Sequence, residues 1–244
     1  MKKSLPALFT TSWDDGHPFD LRIAELLLKH GAQATFYIPR KSDKTTMTSA
    51  MVRELAEHFE IGAHTLNHVD LLRVQGEIKT EEIRGSKKWV EDITGKECRM
   101  FCPPKGRFDQ GVVDIALEAG FQGIRTVELL SLHVPRFRHG LYFEPTSLQL
   151  FDHGGLAYMR NSLKRNEWGN VPNFWKHRYG KTLVEAAGSM VANVGRGGGC
   201  FHLWGHSWEI EQHGLWKELD RILALHAGAP QTMQTVTNSE ACIQ

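Results

Sequence analysis

The chain has 244 residues, 41% hydrophobic and 23% charged, with 7 Trp and 12 Phe. That composition excludes a disordered or fibrous chain and suits one large α/β domain or two small ones. A formal net charge of +1 gives no reason to expect a nucleic-acid or membrane-surface partner.

No apolar run approaches the ~20 residues of a membrane span. Leu5 to Thr10 is too short for a leader and runs straight into Asp14-Asp15, so a cytoplasmic location is the expectation. Cys98, Cys102, Cys200 and Cys242 have no zinc-knuckle spacing, and reduced, mostly buried thiols are expected.

In chain order, Leu5 to Ser12 reads as a strand, and Phe19 to His30 as an amphipathic helix closed by Gly31. Ala34 to Ile38 is a strand stopped by Pro39. Thr48-Ser49 caps a helix to about His58. Ile61 to His64 is a short strand. Thr80 to Ile93 is a helix ended by Gly95. Met100 to Cys102 is a strand closed by Pro103-Pro104, Gln110 to Ala119 a helix before Gly120, and Gly123 to Thr126 strand-like.

Ser131 to Gly180 reads less regularly, with strands near Leu141–Phe143 and Ser147–Phe151, and its Trp168 and Trp175 are candidates only for a wall. A helix over Lys181–Val194, a strand over Cys200–Trp204 and a last helix over about Ile210–Ala227 follow. The tail, Gly228 to Gln244, is polar and expected to be loosely held. Without repeats or linkers, residues 1–244 read as one domain. The strand–helix alternation predicts parallel strands covered by helices.

The chemistry-bearing residues fall at the carboxyl ends of these strands. Asp14-Asp15-Gly16 puts two carboxylates at a strand end, where Gly16 allows a turn that brings both toward one point. His64 and His68 form an H-x-x-x-H pair which, on a helical turn, would face one side. One Asp and two His make a facial N/N/O ligand set for a divalent transition metal, leaving the other Asp as a base. Asn67 and Asp70 are placed to orient the imidazoles. Pro103-Pro104-Lys105-Gly106 forms a rigid loop suited to wall a site and present backbone N–H groups to substrate, and Trp204 is grouped with it. His206, just past the late strand, suits a general acid for a leaving amine, with Ser207 or Glu209 to orient it. His202 reads as a core or wall residue, although the sequence leaves both histidines open as the acid.

In this order and spacing the motifs resemble the polysaccharide deacetylase superfamily (carbohydrate esterase family 4) over roughly Leu5 to Leu225. The resemblance implies a distorted (β/α) barrel of about seven parallel strands with outer helices. It also implies a divalent metal, zinc first, with cobalt, manganese and nickel as alternatives. Asp15, His64 and His68 would then hold the metal, Asp14 would be the base and His206 the acid. The substrate would be a carbohydrate, losing N-acetyl groups from amino sugars to give free amine and acetate.

Three departures stand out. Trp13 replaces the usual Phe. Cys102 stands where the family carries an Arg that pairs with the base, which leaves Arg107 or Arg125 to supply the charge; Arg125 is favoured as strand-borne. The Asp–Trp motif that supports the acid His is not visible. The sequence therefore leaves open a glycan, a sugar precursor or a small linear or cyclic amide as substrate, and also a non-catalytic sugar- or metal-binding protein.

Overall fold

A computed structural model describes residues 5–151, 168–229 and 233–244. The mid-chain stretch read as irregular falls partly outside these.

Strand β1 (Ala7–Asp14) leads through α1 (Asp20–His30) to β2 (Thr35–Ile38), and α2 (Ser49–His58) to β3 (Glu60–Ala63). Next come α3 (Gly76–Thr94), β4 (Met100–Phe101), α4 (Gln110–Glu118) and β5 (Gly123–Arg125). After β6 (Arg136–Arg138), β7 (Leu141–Glu144) and β8 (Leu148–Gln149), helix α5 (Leu183–Gly197) leads to β9 (Gly199–Gly205). The chain finishes with α6 (Ser207–His213), α7 (Trp216–Leu223), β10 (Gln234–Thr235) and α8 (Asn238–Ala241).

The strands form one curled sheet in the order β6-β7-β5-β4-β3-β2-β1-β9-β8, with β10 beside the start of β1. Every pairing is parallel except β6 with β7. Pro145 breaks the chain between β7 and β8, so one stretch pairs first with β5 and then with β9. The gap this leaves is bridged by residues 126–132, through Thr126 N to Glu144 O (2.8 Å), Thr146 N to Glu128 O (2.8 Å) and Cys200 N to Leu132 O (3.0 Å). The result is a distorted (β/α) barrel with helices outside.

Alternation along each strand sorts side chains to two sides. Phe9 and Trp13 of β1, Phe36 and Ile38 of β2, and Phe201 and Leu203 of β9 join the main core under the helices. Their neighbours, Thr10, Ser12 and Asp14, Tyr37, and His202 and Trp204, face the barrel interior. That interior is polar, with Thr10, Ser12, Asp14 and His202 buried, although parallel strands covered on both faces are usually apolar on both. Gly62 makes room there, since a Cβ at this position would meet the Tyr37 ring at 2.5 Å.

Three expectations are corrected. The last helix divides at Gly214, which caps α6 in the left-handed region (φ 65). The tail is not loose: Met233, Val236, Asn238, Ser239, Ala241 and Cys242 are buried. Asn238 closes the barrel floor, accepting from Tyr37 Oη (2.8 Å) and donating to Thr10 Oγ1 (3.0 Å). Finally, His64 and His68 lie on an irregular loop after β3 rather than on a helical turn. All four cysteines are free and buried. Among the described residues no helix is long and apolar enough to cross a membrane.

Candidate active site

At the carboxyl end of β1 the chain turns sharply. Asp15 has φ 77 and Gly16 φ 60, and Gly16 lies so close to Ile38 that a Cβ would meet Ile38 Cγ2 at 2.6 Å. The turn keeps Asp14 on the interior face and swings Asp15 toward the loop after β3. That loop also bends through the left-handed region, at Thr65 (φ 64) and His68 (φ 51). Such conformations disfavour side-chain-bearing residues and gather at sites where geometry matters more than local stability.

The outcome is a cluster. Asp15 Oδ1 lies 3.2 Å from His68 Nε2 and 3.7 Å from His64 Nε2, and one ligand atom from each of the three fits within 4.8 Å. His64 Nδ1 donates to Cys102 O (2.6 Å), which leaves Nε2 as its donor to a metal. Asp15 Oδ2 accepts from Trp208 Nε1 (3.0 Å), so Oδ1 is the oxygen left to coordinate. Two imidazole nitrogens and one carboxylate oxygen, with the second atoms of His64 and Asp15 already held, fit a divalent transition metal. Asn67 and Asp70 do not orient the rings: Asn67 bonds Glu82 and Asp70 accepts from Arg107 (2.6 Å).

Beside this cluster Asp14 is buried, its Oδ2 held by the guanidinium of Arg125. Arg125 reaches Asp14 from the interior face of β5, across the space left by Cys102, while Arg107 is turned to Asp70. Burial opposes ionisation of Asp14, but Arg125, with His64 and His206, outweighs it and holds the carboxyl below its usual range. Asp14 Oδ1 is buried without a partner among the described residues.

The two late histidines part ways. His202 has both nitrogens engaged, Nδ1 with Pro145 O (2.9 Å) and Nε2 with Ser12 Oγ (2.8 Å). Burial, with the nearby charge of Arg125, pulls its pKa down to about 3, so it is neutral and structural. His206 is held at Nδ1 by Glu209 Oε2 (2.6 Å). Burial alone would lower its pKa, but Glu209 and the charges of Asp14 and Asp15 outweigh that and raise it.

Asp14, Asp15, His64, His68 and His206 line a pocket of about 340 Å³ together with Lys44, Lys105, Gly106, Trp204 and Trp208. Pro103 and Pro104 shape the loop but do not line the pocket, and Trp175 is exposed elsewhere. Trp208, Lys44 and the Cys102 carbonyl were missed by sequence reasoning. Only Trp208 had a signal there, two positions after His206.

Residues 5–124 match the polysaccharide deacetylase family model. These residues belong to that family. A peptidoglycan-N-acetylglucosamine deacetylase of Bacillus cereus is 30% identical over 120 residues, 48% of this chain and 55% of the relative. The chain spans between about a third and just over half the length of the curated relatives it matches. Among solved structures, the chitin deacetylase of Colletotrichum lindemuthianum superposes with TM-score 0.62 at 16% identity, covering 97% of this chain and 88% of that one. A candidate polysaccharide deacetylase of Mycobacterium smegmatis gives TM-score 0.66 at 12% identity, covering 99% and 94%. At those identities the likeness establishes the fold, and it extends past the residues of the family match to the strand and loop that bear Trp204 and His206.

Proposed function

We propose that the protein is a metal-dependent deacetylase that hydrolyses the N-acetyl amide of an amino-sugar glycan or sugar precursor to a free amine and acetate. The observation that carries this reading is the pairing at Asp14. One carboxylate oxygen is fixed by Arg125 and the other has no partner among the described residues, next to the Asp15/His64/His68 ligand set. A family member that had lost its base-pairing Arg would suit a binding protein; here Arg125 supplies that charge. The names of the relatives, deacetylases of peptidoglycan N-acetylglucosamine and of chitin, support the substrate class.

A divalent metal held by Asp15, His64 and His68, zinc by its donor set, would polarise the acetyl carbonyl and acidify water. Asp14, kept ionised by Arg125, takes the proton of the attacking water at Oδ1. His206 carries a proton, and its ring nitrogen not engaged by Glu209 delivers it to the leaving nitrogen, since an amine departs poorly unless protonated. In the 104–106 turn, Pro104 has no N–H and Gly106 N–H donates to Pro103 O (3.0 Å). Lys105 N–H is therefore the amide placed to meet the tetrahedral oxyanion. Trp204 Nε1, buried without a partner among the described residues, offers a further donor.

Acetate release from a panel of N-acetylated glycans, oligomers and nucleotide sugars tests the reading. The account expects release from at least one member, abolished by a chelator and restored by zinc or cobalt. Release that is indifferent to chelation would contradict it.

A further inference from the structure

A second cavity, of about 850 Å³, adjoins the 340 Å³ pocket. Gly106 and Val127 line both. They are in such close contact that a Cβ on Gly106 would meet Val127 Cγ2 at 2.0 Å. The smaller pocket has room for an acetamido group and its ring. Whatever else the substrate carries must extend over the Gly106–Val127 contact into the larger space.

The chemistry of that larger space is specific. Its apolar side is the stacked pair Phe108 and Phe143, with ring centroids 6.1 Å apart and planes at 27°. Opposing charges inside it are largely accounted for. Arg107 is paired with Asp70 (2.6 Å), Asp109 faces Lys79 (3.5 Å), and Glu128 accepts from Asn170 Nδ2 (3.0 Å).

Two guanidinium groups are left. Arg136 and Arg138 both line the cavity, and among the described residues neither has a carboxylate within 4.0 Å. They sit two apart on β6, so they share one face of the strand. β6 is the only antiparallel strand among the described residues, appended to the sheet edge by β7. The route between the cavities is also cationic, because Lys44 and Lys105 rim the smaller pocket. In a chain whose net charge is only +1, this is a local concentration of positive charge, and guanidinium pairs are suited to bind oxyanions in bidentate fashion.

We propose that the cavity bearing Arg136 and Arg138 is a substrate subsite for an anionic group, a carboxylate or a phosphate, carried beside the acetamido sugar that is hydrolysed. The proposal rests on the deacetylase reading for its substrate but not for its binding chemistry. The substrate class it assigns is an acidic N-acetylated saccharide rather than a neutral homopolymer such as chitin.

The test uses three matched trisaccharides of N-acetylglucosamine: one neutral, one with a carboxylate on the ring next to the reacting one, and one with a phosphate there. Acetate release is measured for the wild-type chain and for Arg136→Gln/Arg138→Gln, with thermal melting as a check on folding. The expected result is a KM about fivefold lower for one of the acidic substrates than for the neutral one, as partly exposed ion pairs give. That acid identifies the source of the anion. The advantage should vanish in the double variant through a rise in KM and shrink in 0.5 M salt. Exposed Arg138→Glu, which leaves the strand pairing intact, should turn the preference toward the neutral substrate.

No acid preference in the wild type, or a preference that survives in the variants, would overturn the subsite. If no substrate releases acetate, the deacetylase reading fails separately, and calorimetric binding of the same three compounds decides the subsite by the same criterion.

Discussion

Asp14 and Asp15 are neighbours in sequence with opposite surroundings, and the difference is built by single residues. Asp14 stays on the interior face of β1 and meets Arg125; Asp15, past a positive φ, meets His64, His68 and Trp208. The carboxylates and histidines were legible in the sequence because their residue types and spacing carry metal chemistry. Arg125 was legible only as the better of two candidates. Its contact with Asp14 depends on Cys102 being small enough to let a side chain cross the barrel, and no local pattern encodes that.

Glu209 gives the sharpest test at this scale. It raises the pKa of His206, and in the proposed mechanism the acid form of His206 is the one that donates. Activity is therefore held below that raised value and lost as pH climbs through it. Glu209→Gln removes a raising influence, so the alkaline limb of kcat/KM moves to lower pH. A limb that does not move in the pH–rate profile would exclude His206 as the acid.

Among the elements, those with clear periodicity were read well. Helix α2 begins at its Thr48 cap, whose hydroxyl accepts from Met51 N, and α1 ends at Gly31 with φ 63. The failures share a cause: their order comes from tertiary contacts and not from pattern. β6 and β10 are three and two residues long, too short to show alternation. The tail looked polar and loose because its polar groups are its anchors. Asn238 alone bonds Tyr37 Oη, Thr10 Oγ1 and, through its N–H, Thr35 Oγ1 (2.9 Å). Asn238→Ala should cost about 2 kcal/mol, since it leaves a buried tyrosine hydroxyl and a threonine hydroxyl without their partner. Denaturant unfolding checks this, and a loss under ~0.5 kcal/mol would mean the tail is not the barrel floor.

The whole molecule separates two kinds of interior. An apolar layer between sheet and helices holds the fold, and a polar column inside the barrel runs from Asn238 at the floor through His202 and Arg125 to Asp14 at the mouth. This division explains why hydrophobic patterning identified the barrel's outer face while the site emerged only from motif residues. It also places Asp14 and the ligand set at the open, carboxyl end, where βα loops supply chemistry.

The central claim is that Asp15 and the two histidines hold a metal while Asp14 serves as the base. The most direct measurement is divalent-metal content by elemental analysis, set beside acetate release, for the wild type, Asp14→Asn and His68→Ala. The account predicts about one ion per chain in the wild type. Asp14→Asn should keep the ion and lose turnover by about 10²–10⁴-fold, and His68→Ala should lose both. Full activity in metal-free His68→Ala would contradict it.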